Sequence, residues 1–220
     1  MSIPFESLDI ERGVRIDLSL EHLFVKVIED KRGGYCYELN YLFHALLLAL
    51  GFDSRMVSAS IFHEDTLGPP FDHMSIIVQL DDLWLVDVGY GDLFVQPLKI
   101  VPGIIQNDQF KIFKIERIDD NKYLLFESLL SKENFIKRYV FELTPRIIQD
   151  FEDQNQFKQR APESYFLQNV ICTLPTKHGR KTILNDHFKI RSNLGSSNVL
   201  IKNEKHFKLI LQEEFNITLV

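Results

Sequence analysis

Cysteine is nearly missing from this chain. Only Cys36 and Cys172 occur, too few for a disulfide framework, which leaves free thiols in a reducing, cytoplasmic setting as the simplest reading. Long apolar runs are also lacking. The most apolar window, residues 39–50, contains Asn40 and His44 and falls short of the roughly 18 residues that read as a membrane span. No basic start followed by an apolar stretch reads as a signal peptide. No membrane partner is therefore expected. Positive charge is not in excess either: 25 Lys and Arg stand against 31 Asp and Glu, a formal net charge of −6, which argues against nucleic acid as a partner. No pair of His or Cys has zinc-ligand spacing, and no glycine-rich phosphate loop or dinucleotide fingerprint occurs, so no metal site is expected. What the chain does hold is material for a core. Its 220 residues are 45% hydrophobic and include 18 Phe, which excludes a disordered or fibrous class.

The apolar period changes along the chain. Leu20, Leu23, Phe24, Val27 and Ile28 recur at helical spacing behind Asp17 and Ser19, either of which suits a helix cap. Arg32-Gly33-Gly34 ends that helix, since glycine supplies backbone angles that other residues avoid. A second helix is expected from Cys36 or Tyr37 to Leu50, with Leu39, Leu42, Phe43, Leu46, Leu47 and Leu50 as its stripe and Gly51 as its cap. From residue 54 to about 145 the pattern turns strand-like, at 55–62, 74–80, 83–88, 110–115, 123–126 and 135–141. Such a series suits an antiparallel sheet or barrel. Residues 146–170 read as a helical connector, and strands near 181–184 and 198–201 precede a helix near 204–214.

Cys36 sits where a double-glycine turn meets a helix start. Unpaired N–H groups and the helix dipole favour an anion there, and thiolate is the reactive form of cysteine. His73 and Asp87 lie at the two ends of an expected hairpin. Asp87 falls within the apolar segment Leu83-Trp84-Leu85-Val86-Asp87-Val88, and a buried carboxylate needs a partner. A strict two-residue turn at Asp81-Asp82 pairs His73 with Tyr90 and puts Asp87 on the wrong face. A three-residue loop or a bulge brings His73 and Asp87 together, and that is the expectation. An imidazole held by a carboxylate can then take the thiol proton. Cys172 reads as an apolar strand residue, and the other histidines sit in helices or polar surroundings.

These segments resemble a known family. Arg32-Gly33-Gly34-Tyr35-Cys36-Tyr37-Glu38-Leu39-Asn40 is similar to the nucleophile motif of arylamine N-acetyltransferases. Phe71-Asp72-His73-Met74 and Leu85-Val86-Asp87-Val88-Gly89-Tyr90-Gly91 resemble its histidine and aspartate segments, in the same order. Ile3-Pro4-Phe5-Glu6-Ser7-Leu8 resembles its N-terminal motif, with weaker likeness at Thr144-Pro145, Asp150-Phe151 and residues 209–219. The resemblance implies an α+β fold with a cysteine-protease or transglutaminase-like core. Its parts are a helical domain over 1–52, a β-barrel over 53–145, a helical connector over 146–170 and an α/β lid over 171–220. It also implies acetyl-CoA as donor, an aromatic amine or hydrazine as acceptor, and a ping-pong reaction on a Cys36, His73 and Asp87 triad. A backbone N–H such as that of Tyr37 would meet the oxyanion.

By the same resemblance Phe5 and Tyr90 line the amine pocket, although from the residues alone each equally suits plain core. No motif marks the residues that hold CoA. Arg32 and Glu38 read as a structural ion pair holding the Cys36 turn. The resemblance further suggests a form shortened before the Pro4-Phe5-Glu6 motif. Asn216 stands near a position where relatives have Gly, and Asn tolerates left-handed angles. Two other readings stay open: a cysteine hydrolase or transglutaminase-like enzyme using the same three residues, and a degenerate member kept for binding.

Overall fold

The structure, a computed structural model, describes residues 2–108, 111–129 and 134–219, so Met1, Val220 and Phe110 of the expected 110–115 strand lie outside the described residues. Along the chain come β1 (Phe5–Glu6), α1 (Leu8–Glu11), α2 (Leu20–Phe24) and α3 (Cys36–Ala49). Nine strands follow: β2 (Asp53–His63), β3 (Thr66–Leu67), β4 (His73–Gln79), β5 (Leu83–Val86), β6 (Leu98–Lys99), β7 (Ile105–Asn107), β8 (Lys111–Arg117), β9 (Lys122–Leu129) and β10 (Ile136–Glu142). Then come α4 (Glu152–Arg160), α5 (Tyr165–Gln168), β11 (Ile171–Thr176), β12 (Gly179–Leu184), β13 (His187–Ser192), β14 (Gly195–Leu200) and α6 (Glu204–Phe215). The class is α+β. Two compact units form, Met1–Leu39 with Asn155–Val220, and Asn40–Gln154. Among the described residues no helix is long and apolar enough to cross a membrane.

The unit Asn40–Gln154 is built on one antiparallel sheet in the order β6-β5-β4-β2-β10-β9-β8-β7, with β3 added on β2. The two end strands are joined by a side chain. Gln106 of β7 accepts from the Lys99 N–H of β6 at 2.7 Å and donates to its carbonyl at 2.9 Å, so a primary amide does what a neighbouring backbone would do. The sheet is thereby nearly closed into a barrel. One face carries Val57, Ala59, Ile77, Leu85, Phe113, Leu125, Tyr139 and Phe141 as its core. The opposite face of β4 and β5 presents Ile76, Val78 and Val86 to Leu47 and Phe43 of α3. Strands covered on both faces carry near-continuous apolar runs, which is why 74–80 is so apolar.

Helix α3 ends as expected. Gly51 takes φ +85°, and the N–H groups of Phe52 and Gly51 reach back to the carbonyls of Leu47 and Leu48. Its apolar stripe differs from the expectation. Leu47 is buried, but Leu46, Leu48 and Leu50 are half exposed or more, because polar Asn40 and His44 occupy the buried face between Leu39 and Leu47. His44 Nδ1 meets Ser54 Oγ at 2.8 Å.

The other unit carries a five-stranded sheet, β1-β11-β12-β13-β14, with Phe5 opposite Thr173. Leu8, Cys172, Leu174, Ile183, Phe188, Ile210, Leu211, Phe215 and Ile217 form its core. Asn203 caps α6 by accepting the His206 N–H at 2.9 Å, and Asn216 closes it in the left-handed region at φ 57°. The expected helix 20–28 divides into α2 and a π-helical turn at Val25–Glu29. Only Leu23 and Val27 of its apolar set are buried, and Asp17 Oδ1 accepts the Ser19 N–H at the helix start.

Candidate active site

Cys36 is the first residue of α3, in the unit formed by the chain's two ends, and is 4% exposed. The turn before it needs its two glycines for closeness rather than for unusual angles. The left-handed residue is Lys31, at φ 54°, and neither Gly33 nor Gly34 has positive φ. A Cβ on Gly33 would overlap the Pro4 carbonyl oxygen, and one on Gly34 would lie 2.8 Å from Glu38 Oε2. That Glu38 oxygen accepts the Tyr35 N–H at 3.0 Å, so the third residue of α3 caps the helix start from inside.

Glu38 belongs to a buried charge cluster, and the expected Arg32–Glu38 pair is replaced by other partners. Arg32 meets Glu6 at 2.8 Å and Asp9 at 2.9 Å, while Lys26 meets Asp9 at 2.7 Å and Glu38 at 2.6 Å. Glu6 Oε1 also accepts the Gly33 N–H at 3.3 Å, which ties β1 to the turn. The turn after α2 brings Lys26 to Glu38 and leaves Arg32 for the acids of β1 and α1. Arg12, at the edge of the cluster, lies 3.9 Å from Asp9 as well. Burial, with Glu6 adding to it against the pull of Lys26, pushes the Glu38 carboxyl up to about 7.

His73 and Asp87 lie in the other unit. Gln79 pairs with Leu83, so the β4–β5 connection is the three-residue loop Leu80, Asp81 and Asp82. That register places Asp87 beyond Val86 on the face shared by Leu85, Ile77 and His73, and His73 Nε2 lies 2.6 Å from Asp87 Oδ2. Both side chains are fully enclosed. The other Asp87 oxygen accepts from Asn40 Nδ2 at 2.9 Å and from the Gly89 N–H at 3.0 Å. Oδ2 also accepts from the Tyr139 hydroxyl at 3.2 Å and Ser75 Oγ at 3.4 Å. Burial alone would raise this carboxyl, but His73 and the other donors outweigh it and hold Asp87 below its ordinary value. With Nε2 committed to Asp87, the imidazole has Nδ1 for proton exchange.

Sequence reasoning missed the functional part of two residues. Asn40 fastens α3 to the pair: its amide also donates to the Met74 carbonyl at 2.6 Å and accepts the Val88 N–H at 2.8 Å. Tyr139 was hidden in an ordinary strand pattern. An asparagine inside an otherwise apolar helix stripe was the one available signal. Tyr90 stands edge-on to His73 with ring centroids 5.4 Å apart. Burial pushes its phenol up to about 12, against the pull of Arg138. Phe5, in the other unit, is buried in β1 with its ring 6.2 Å from that of Phe166. Among the described residues no group of three or more His, Cys, Asp or Glu is placed to hold a metal.

The N-acetyltransferase family model matches residues 1–220. An arylamine N-acetyltransferase of Gallus gallus, a pineal gland isozyme, is 30% identical over 99% of this chain and 83% of its own length. The chain belongs to the arylamine N-acetyltransferase family. Solved arylamine N-acetyltransferases have the same fold. That of Salmonella typhimurium superposes with a TM-score of 0.90 at 26% identity, over 98% of this chain and 79% of that one. That of M. tuberculosis does so with a TM-score of 0.88 at 25% identity, over 98% and 82%. As an arylamine N-acetyltransferase the protein is a transferase of acetyl groups, on the cysteine-protease-like fold of its relatives.

Proposed function

We propose that this protein moves the acetyl group of acetyl-CoA to the nitrogen of an aromatic amine or hydrazine, by a ping-pong reaction through acetyl-Cys36. The observation that carries the reading is the enclosed His73–Asp87 pair, an imidazole held by its Nε2 so that Nδ1 is the nitrogen that exchanges protons. Cys36 supplies the nucleophile. It opens α3 four residues before Asn40, the residue that braces Asp87.

In the first half-reaction Cys36 Sγ attacks the thioester carbonyl and its proton passes to His73. The tetrahedral oxyanion is met by N–H groups at the start of α3, that of Tyr37 among them. The C–S bond to CoA then breaks, and the imidazolium returns the proton to the departing thiolate. In the second half-reaction the amine nitrogen attacks acetyl-Cys36, His73 removes a proton from that nitrogen, and the Cys36 thiolate leaves. Asp87 keeps the imidazole in one tautomer and steadies its charged form. The resemblance assigns Phe5 and Tyr90 to binding the aromatic ring, and the edge-on stance of Tyr90 against His73 supports the part of Tyr90. The two free, buried cysteines suit a cytoplasmic enzyme.

Intact-mass analysis after brief exposure to acetyl-CoA without amine is the direct test. One added acetyl is expected, absent in Cys36→Ala and discharged by aniline as acetanilide. A folded protein that takes up no acetyl, or that releases acetate equally fast without amine, would overturn the reading in favour of a binding protein or a hydrolase.

A further inference from the structure

We propose that Tyr139 is a positioning residue that sets the basicity of His73 by acting on Asp87, an inference that rests on His73 being the general base. Tyr139 is fully buried on β10, and it touches both members of the pair. Its hydroxyl reaches Asp87 Oδ2, the same oxygen that meets His73 Nε2. Its ring lies tilted against the imidazole with centroids 5.4 Å apart, and against Tyr90 at 5.8 Å. Burial, reinforced by the charge of Asp87, holds this phenol well above its ordinary value. The hydroxyl thus holds its proton more firmly than a free phenol and donates it to Asp87 Oδ2 at 3.2 Å.

A hydroxyl dipole aimed at a carboxylate draws negative charge toward itself and away from the imidazole on the other side. The carboxylate still orients His73, but it stabilises the imidazolium less than it would alone. The proton taken from the nucleophile is then given up more readily to the leaving group. The other donors to Asp87 do this less: Asn40 and Gly89 reach its far oxygen, Oδ1. Ala59 stands opposite His73 on β2. Ser75, on the same strand as His73, reaches Asp87 only at 3.4 Å and bonds to the Tyr139 phenol. Tyr90 meets the imidazole through its ring. Arg138 and Glu127, the nearby charges that act on Tyr90, are paired in a bidentate bond at 2.8 and 2.9 Å. Cys36 is the remaining titrating partner in the proposed reaction.

The test is Tyr139→Phe, which keeps the ring and deletes the donor. The imidazole resonance of His73, assigned by its loss in His73→Gln, is followed by NMR across pH in the intact protein. The titration midpoint is expected to rise by about half a unit or more, and the pH profile of Cys36 acetylation to move with it. Ser75→Ala, which trims the longer contact, should move the midpoint the same way by less, and it decides the matter if Tyr139→Phe does not fold. A folded Tyr139→Phe whose stability drops while the His73 midpoint stays put or falls would overturn the proposal. The NMR reading needs no acetyl donor. Failure of the unmodified protein to form acetyl-Cys36 would therefore sink the proposed reaction separately, with the His73 shift still readable.

Discussion

Asp87 shows how far one side chain's surroundings decide its use. Five donors converge on a carboxylate with no access to solvent, so ionisation is favoured despite burial. Its folded value lies below the unfolded 3.8, so its contribution to stability is complete above that value and is lost as pH falls through the folded one. Asp87→Asn should leave the fold in place while slowing Cys36 acetylation by roughly a thousandfold, because the amide no longer dictates the imidazole tautomer. Stopped-flow measurement of CoA release from Asp87→Asn checks this, and a loss under tenfold would remove Asp87 from the mechanism. The need of Asp87 for a partner was legible in the sequence, since an acid inside an apolar strand has few other ways to be stable. Tyr139 was not legible. It sits in β10 like any inward-facing aromatic, and β10 pairs with β2 and β9, so only the curling of the sheet brings Tyr139 to Asp87.

Elements were legible to the extent that their period was long enough to read. Helix α3 and the strands from β2 to β10 with alternating or continuous apolar runs were visible, whereas the two-residue strands β1, β3 and β6 carry no pattern of their own. The π-helical turn at Val25–Glu29 was equally invisible, and it decides which acid Lys26 meets. The start of α3 has a consequence for pH. Glu38 rises from 4.5 to about 7 on folding, so the folded state binds the extra proton between those values. Its contribution to stability is present at low pH and is lost as pH rises through about 7. Glu38→Gln removes the buried charge yet keeps an oxygen for the Tyr35 N–H. It should therefore raise stability above pH 7 by about 1–3 kcal/mol and flatten the dependence below it. Urea melts of both proteins across this range test the point; a variant less stable at every pH would show that Lys26 needs the carboxylate itself.

At the scale of the whole chain, one unit is continuous and the other is assembled from both ends, with β1 pairing on β11. Nothing in composition announces that return, because two-residue pairing far along the sequence leaves no periodic trace. It does make a prediction. Leu211 is wholly buried among Leu8, Cys172 and Ile183, so Leu211→Ala should cost about 2–5 kcal/mol. Hydrogen exchange should show the loss in α1 and in β11 to β13 alike, although they lie at opposite ends of the sequence. The central strands β8 and β9 serve as the comparison, since they belong to the other unit.

The loop between β4 and β5 carries its information as register. Directly opposed residues of an antiparallel pair share a face, so His73 and Asp87 stay together as long as Gln79 faces Leu83, and a slip of that pairing by one residue separates them. The chemistry of Asp81 and Asp82 matters little by comparison, and substitutions there should be nearly silent in an acetylation assay. In-frame loss of either codon should also leave acetylation in place, because Gln79 and Leu83 can still meet across a two-residue turn; its abolition in a folded variant would show that the pairing had slipped. Sequences that vary this loop are expected to keep that pairing whatever the length of the loop.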